Sequence, residues 1–198
     1  MTRPGFLAID LITHRAALIG RVIDQVAQTP LPGVDVVITS GPAAWLSRVA
    51  ALRQGRPALR PELRLTDSAG AFRWLDLPAG AYTLTATIAG TGYGNATVTA
   101  TVVTSGPVSA ELALAPTTVN GIIKAGAPAA PLAMARVRFA DSGDVTYTAA
   151  DGSFRLSPVE AGARVLEVSA QNYITTTQTV TLSKGQTTTA PIITLTHS

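Results

Sequence analysis

The 198-residue chain has no cysteine. Disulfide frameworks, thiolate nucleophiles and Cys-ligated metal centres are thereby excluded, and nothing follows about redox compartment. Aromatic residues are scarce at 5%, so the cores must be filled by Val, Ile, Leu and Ala and must be small. Charged residues reach only 14%, with 13 Arg and 2 Lys against 12 acids for a net charge of +3. A general polyanion binder carries a much denser basic face. Long apolar runs are missing too. The run FLAIDLI, residues 6–12, is broken by Asp10 and followed by His14 and Arg15. It falls short of the roughly 18 apolar residues of a membrane span, and it lacks the uncharged stretch and small-residue cleavage site of a secretory signal. The expectation is a leaderless, soluble, cytoplasmic protein.

Catalytic constellations are equally sparse. His14 and His197 sit at opposite ends of the chain, with no sign of the nucleophile and orienting acid that a triad requires. Asp141, Asp144 and Asp151 do not follow the spacing of a calcium loop, and a strand-like VTYTAA separates the third from the first two. They read as turn formers. No catalytic residue, metal or cofactor is expected, and the chain is not expected to be an enzyme.

What is present is a repeat. LIGRVIDQVAQTPLPGVDVVIT from Leu18 matches VNGIIKAGAPAAPLAMARVRFA from Val119, pairing Gly20 with Gly121, Leu31 with Leu132 and Val36 with Val137 at an offset of 101. Further on, Gly70, Phe72, Arg73, Gly80 and Leu84 pair with Gly152, Phe154, Arg155, Gly162 and Leu166 at an offset of 82. The difference, 101 − 82 = 19 residues, must be extra in the first copy. It falls within about residues 42–64, where Trp45, Val49 and Leu52 stand at helical spacing among arginines. Period-2 alternation marks the rest as strands: in ATVTATVV, Val98, Ala100 and Val102 share one face and threonines the other. Turn residues punctuate these runs every eight to twelve positions, the rhythm of an all-β sandwich. The expected organisation is a domain over 1–116, with an N-terminal arm and a helical insert, and a second, divergent copy over 117–198.

The order G-x-V-x-D, P-L-P-G-V-x-V, T-D-x-x-G-x-F and L-P-A-G-x-Y-x-L, met at Gly20, Pro30, Thr66 and Leu77, resembles the carboxypeptidase regulatory-like domain. Gly92-Tyr93 and Asn172-Tyr173 sit where that family often has a Gly-Tyr pair. The resemblance spans most of residues 17–116 and implies two tandem seven-stranded Greek-key β-sandwiches of transthyretin-like or starch-binding-like type. The second copy departs from it, with Arg164 where the first has Tyr82. Fold relatives that are enzymes do not fit. Transthyretin-like hydrolases end in Tyr-Arg-Gly-Ser where this chain ends in Leu-Thr-His-Ser, and none of Tyr82, Tyr93, Tyr147 and Tyr173 is paired with histidine as in intradiol dioxygenases.

These motifs specify a fold, and function must come from a site. The candidate site is a protein-contact surface made by the two additions to the first copy. In the insert it comprises Trp45, Leu46, Arg48, Val49, Leu52, Arg53, Arg56 and Arg60; in the arm, Phe6, Leu7, Ile9 and Leu11. Trp and Arg are favoured interface anchors, and an apolar terminal strand can complete a neighbour's sheet edge. Trp45 and its neighbours also have a simpler role open to them, as a lid on their own sandwich. The expected function is a non-enzymatic structural or adaptor subunit of a larger assembly of proteins, homo-oligomers included. The family association suggests a phage-tail-like contractile injection particle. The alternative is a carbohydrate-binding or adhesive module. Nucleic acid is not expected as a partner, because the arginines have no interleaved aromatics.

Overall fold

A computed structural model of the protein describes residues 14–198 apart from 55 and 57. The first copy forms β1 (Ala16–Asp24), β2 (Asp35–Ser40), α1 (Ala43–Arg53), β3 (Leu63–Leu65), β4 (Ala71–Leu75), β5 (Gly80–Thr87), β6 (Ala96–Val102) and β7 (Val108–Leu114). The second forms β8 (Thr118–Ala125), β9 (Ala130–Pro131), β10 (Arg136–Phe139), β11 (Val145–Tyr147), β12 (Ser153–Leu156), β13 (Gly162–Ser169), β14 (Thr176–Leu182), β15 (Thr187–Thr189) and β16 (Ile193–Leu195).

In the first copy a sheet ordered β4-β1-β7 faces a sheet ordered β3-β2-β5-β6. β1 runs antiparallel to β4 and parallel to β7. The alternation dictates which side chains turn inward: β6 buries Ala100 and Val102 and exposes Thr97, Thr99 and Thr101. Trp74, Leu18, Leu84, Leu112 and Leu114 meet in the resulting core, each contributing about 1.5–3 kcal/mol through burial.

The second copy repeats this plan with orders β12-β8-β15 and β11-β10-β13-β14. It has nine strand segments where seven were expected. β15 and β16 are one strand interrupted: both pair parallel with β8, at Thr118 to Asn120 and at Ile123 to Ala125. Pro191 lies in the gap, and a residue without an N–H cannot continue a ladder. β9 adds a two-residue pairing where the first copy has only an Ile23 to Pro30 bridge.

The motif residues act as structure in both copies. The turns before Phe72 and Phe154 carry Gly70 and Gly152 at φ +69° and +76°, which glycine adopts without strain. Asp67 Oδ1 accepts the amides of Ala69 and Ala71, both at 2.9 Å. Phe72 lies over Gly20 and Phe154 over Gly121, in register across β4/β1 and β12/β8. A Cβ on Gly121 would lie 2.6 Å from the Phe154 ring, so these glycines make room for the aromatics.

Candidate functional site

The insert leaves the sandwich after Gly41, against which the rings of Trp45 and Tyr82 pack. α1 has no side-chain N-cap and no acid in its first turn, so tertiary packing must hold this short helix. Trp45 supplies that packing. It is 5% exposed, belongs to the first core, and meets Tyr82 edge-on at 6.3 Å. Val49 is half-buried against the same core.

Trp45 is thus not presented to a partner, and with Val49 it forms the lid. Leu52 behaves differently. Its helical position lies near that of Trp45 and Val49, yet it is 41% exposed, so the last turn runs off the sandwich. Leu46 is 51% exposed.

The arginines also divide. Arg53 and Arg60 both pair with the Glu62 carboxylate, Arg60 Nε lying 2.7 Å from Oε1. Glu62 is buried. Burial pushes its carboxyl up, but the Arg60 hydrogen bond, its own backbone amide and the charges of Arg53 and Arg60 outweigh this and leave it below its ordinary value. Trp74 Nε1 donates to the Pro61 carbonyl at 3.2 Å, which ties the same loop to the core. Arg64 lies over the Trp74 ring at 5.4 Å. Of the arginines proposed for contact, Arg48 and Arg56 remain exposed without a carboxylate partner among the described residues. Arg48 makes only a 3.4 Å contact with the Asp76 carbonyl. The basic cluster is therefore smaller than the sequence suggests. The arm residues Phe6, Leu7, Ile9 and Leu11 lie outside the described residues.

A feature without a sequence signal stands where the copies join. Thr117 is fully buried and each of its polar groups is used. Its N–H donates to the Gly92 carbonyl at 2.5 Å, its carbonyl accepts from Val159 N at 3.0 Å, and its Oγ1 accepts from Gly185 N at 2.7 Å. Thr118 N donates to the Gln186 carbonyl at 2.9 Å. The backbones approach so closely that a Cβ on Gly185 would lie 2.7 Å from the Gly94 Cα, and one on Gly92 would overlap the Val159 carbonyl. Beside this contact, Tyr93 Oη donates to Asp24 Oδ2 at 2.7 Å. Burial first, then that bond, pushes the Tyr93 hydroxyl up to about 12. Asp24 is raised by burial, but the Ala27 amide, the Tyr93 hydroxyl, the Val26 amide and the charge of Arg155 hold it below its ordinary value.

Asp141, Asp144 and Asp151 do not converge. Asp141 pairs with Arg164 at 2.7 Å, Asp144 accepts from Ser142 and Asp151 from Ser153. His14 pairs with Asp76 and is largely exposed, whereas His197 stacks on Tyr173 at 4.5 Å. Among the described residues, no helix is long and apolar enough to cross a membrane.

A concavity of about 830 Å³ lies on the outer face of the β4-β1-β7 sheet. Ile19 and Leu75 line it and Leu65 and Arg64 wall it from β3.

Among solved structures, the Bacillus anthracis TIE protein matches at 14% identity and TM-score 0.46, over 92% of this chain and 34% of its own. The shaft pilin SpaA of Lactobacillus rhamnosus GG matches at 13% identity and TM-score 0.42, over 94% of this chain and 98% of its own. A mutant type II cohesin-X-dockerin complex of Acetivibrio cellulolyticus matches at 24% identity and TM-score 0.34, over 40% of this chain and 56% of that one. This chain thus spans 34% and 56% of the TIE and cohesin-dockerin chains that it matches. No curated protein sequence matches it. In sequence, residues 118–196 match the carboxypeptidase regulatory-like domain family, so the match falls on the second copy, the one that departs further from the motifs.

Proposed function

We propose that the protein is a non-enzymatic structural or adaptor subunit, in which two sandwich domains, 1–116 and 117–198, form a rigid spacer and the outer side of the insert contacts another protein. The observation that carries this reading is the junction at Thr117, whose N–H donates to the Gly92 carbonyl of the first copy while Gly92 packs on the Val159 backbone and Gly94 on Gly185 across the boundary. A flexible tether would leave these groups to water. The contact surface comprises Leu46, Leu52, Arg48 and Arg56, with Leu59, which is 38% exposed and whose amide donates to the Arg56 carbonyl, following in the loop. Apolar residues rimmed by Arg suit a protein interface. Within this class, the finer proposal is an accessory of a contractile, phage-tail-like injection particle, and it rests on the family resemblance.

The carbohydrate-binding reading needs exposed aromatic platforms. Trp45, Trp74, Tyr82 and Tyr93 are all buried and Tyr173 is stacked on His197, leaving Tyr147, at 54% exposure, as the open ring among the described residues. That weakens the alternative.

Sedimentation of native lysate from the source cells tests the proposal. The chain is expected in a high-molecular-weight particle, and Leu46→Glu with Leu52→Glu should release it while leaving its melting temperature within a few degrees of wild type. A chain that sediments as a free monomer in every preparation, or that binds glycans on an array, overturns the reading.

A further inference from the structure

A sandwich has edge strands whose outward N–H and C=O groups can pair with another chain. In the β4-β1-β7 sheet one such edge is β4. Beside it lies the 830 Å³ groove, where Ile19 at 39% exposure, Leu75 at 41% and Leu65 at 64% would give an incoming strand apolar surface to cover. Such an edge invites self-association unless it is blocked.

Two residues block it. Asp67 holds the first outward residue of β4: its Oδ1 accepts the Ala71 N–H at 2.9 Å, and its own N–H donates to the Ala71 carbonyl at 3.0 Å. Arg64 holds the next. Its Nε donates to the Arg73 carbonyl at 3.2 Å, while Nη1 donates to the carbonyls of its own segment, Leu63 at 2.7 Å and Pro61 at 3.2 Å. The guanidinium rests 5.4 Å above the Trp74 ring and makes no ion pair among the described residues. A rigid fork spent on main-chain carbonyls thus bridges β3 to β4, with donors where an added strand would place its own.

The second copy lacks this device and has less need of it. Thr146 stands opposite Val137 as Arg64 stands opposite Val36, and the Arg155 carbonyl, the counterpart of that of Arg73, receives no side-chain donor among the described residues. At the positions of Ile19 and Leu75 the second copy has Asn120 and Ser157. The arginine therefore accompanies the apolar groove, not the fold as such.

We propose that Arg64 is an edge guard: its side chain takes the place that a strand from a second copy would fill beside β4, and so keeps the first sandwich from pairing through that edge. This role is independent of the insert contact.

Sedimentation equilibrium of the full chain tests it, in a Leu46→Glu, Leu52→Glu background so that the insert does not contribute. Arg64→Leu removes the donors and should tighten self-association about tenfold or more, the equivalent of one or two main-chain hydrogen bonds. Arg64→Lys, a point charge in place of the fork, should move the same way, and it decides the matter if the leucine variant fails to fold. Adding Arg73→Pro to Arg64→Leu should return association to the parent level, because the Arg73 N–H faces outward with its carbonyl and proline removes it. Proline would not cure aggregation that came from misfolding. Association of both Arg64 variants no tighter than that of the parent overturns the proposal, as does association that survives Arg73→Pro.

Discussion

At the scale of single residues, the two copies keep the same bonds even where they differ in side chain. Thr66 Oγ1 accepts from Val34 N at 2.9 Å and donates to the Leu31 carbonyl at 2.7 Å. Thr148 makes the equivalent pair with Ala135 N at 2.9 Å and the Leu132 carbonyl at 2.6 Å. Each hydroxyl closes a buried loop edge that no strand partner reaches. The most divergent position follows the same logic. Tyr82 Oη donates to the Pro78 carbonyl at 2.8 Å, and Arg164 Nη1 donates to the Glu160 carbonyl, also four residues back, at 3.3 Å. Arg164 keeps its charge in the core by pairing with Asp141 and stacking 4.6 Å above Phe139. Thr66→Val preserves shape but orphans a buried amide and a carbonyl, and should cost about 1–3 kcal/mol in denaturant unfolding. Thr148→Val should cost a similar amount. A Thr66→Val protein as stable as wild type would mean that water or a shifted loop replaces the hydroxyl.

At the scale of elements, strand and turn positions were legible because period and turn chemistry are local signals. Gly70, Phe72 and Leu84, which the repeat pairs with Gly152, Phe154 and Leu166, occupy the same turn and core positions as their partners. The helix was legible as an insertion because the offset changed between the copies. Its surface was only half legible. The spacing of Trp45, Val49 and Leu52 describes one stripe, but how far a stripe stays on the body depends on the axis of the helix, which the chain on either side sets. Glu62 likewise reads in sequence as a lone acid among arginines, whereas it anchors Arg53 and Arg60 from a buried position. Such convergence across a loop has no period to reveal it. The lid assignment predicts unequal effects within one helix. Trp45→Ala should destabilise the chain by about 3–5 kcal/mol, as for other large core truncations. Leu52→Glu should fall within about 0.5 kcal/mol of wild type, as at an exposed site. Equal costs at the two positions would mean that the helix lies flat along its whole length.

At the scale of the whole molecule, the question is whether two small cores behave as one body. Each has only a handful of large side chains, so each alone would be marginal. The contact through Thr117, Gly92, Gly94 and Gly185 couples them, because separating the copies strands the Thr117 amide and the Gly92 carbonyl and opens the close approaches of Gly92 to Val159 and of Gly94 to Gly185. No motif announces this: the connection reads as a short APTT join, and its bonds come from loops 25, 42 and 68 residues away. Gly92→Val tests the coupling directly, since the new side chain meets the Val159 backbone, which cannot move aside as a rotamer can. Gly106→Val is the control, because nothing lies within 4 Å of its Cβ position. Wild type and Gly106→Val should each melt in one cooperative transition. Gly92→Val should lose about 1–3 kcal/mol, lowering its first transition by about 2–4 °C for each kcal/mol. It should also split the unfolding into two steps and increase the radius of gyration in solution scattering. If Gly92→Val keeps a single transition and an unchanged radius, the two copies are joined by a hinge, and the spacer is not rigid.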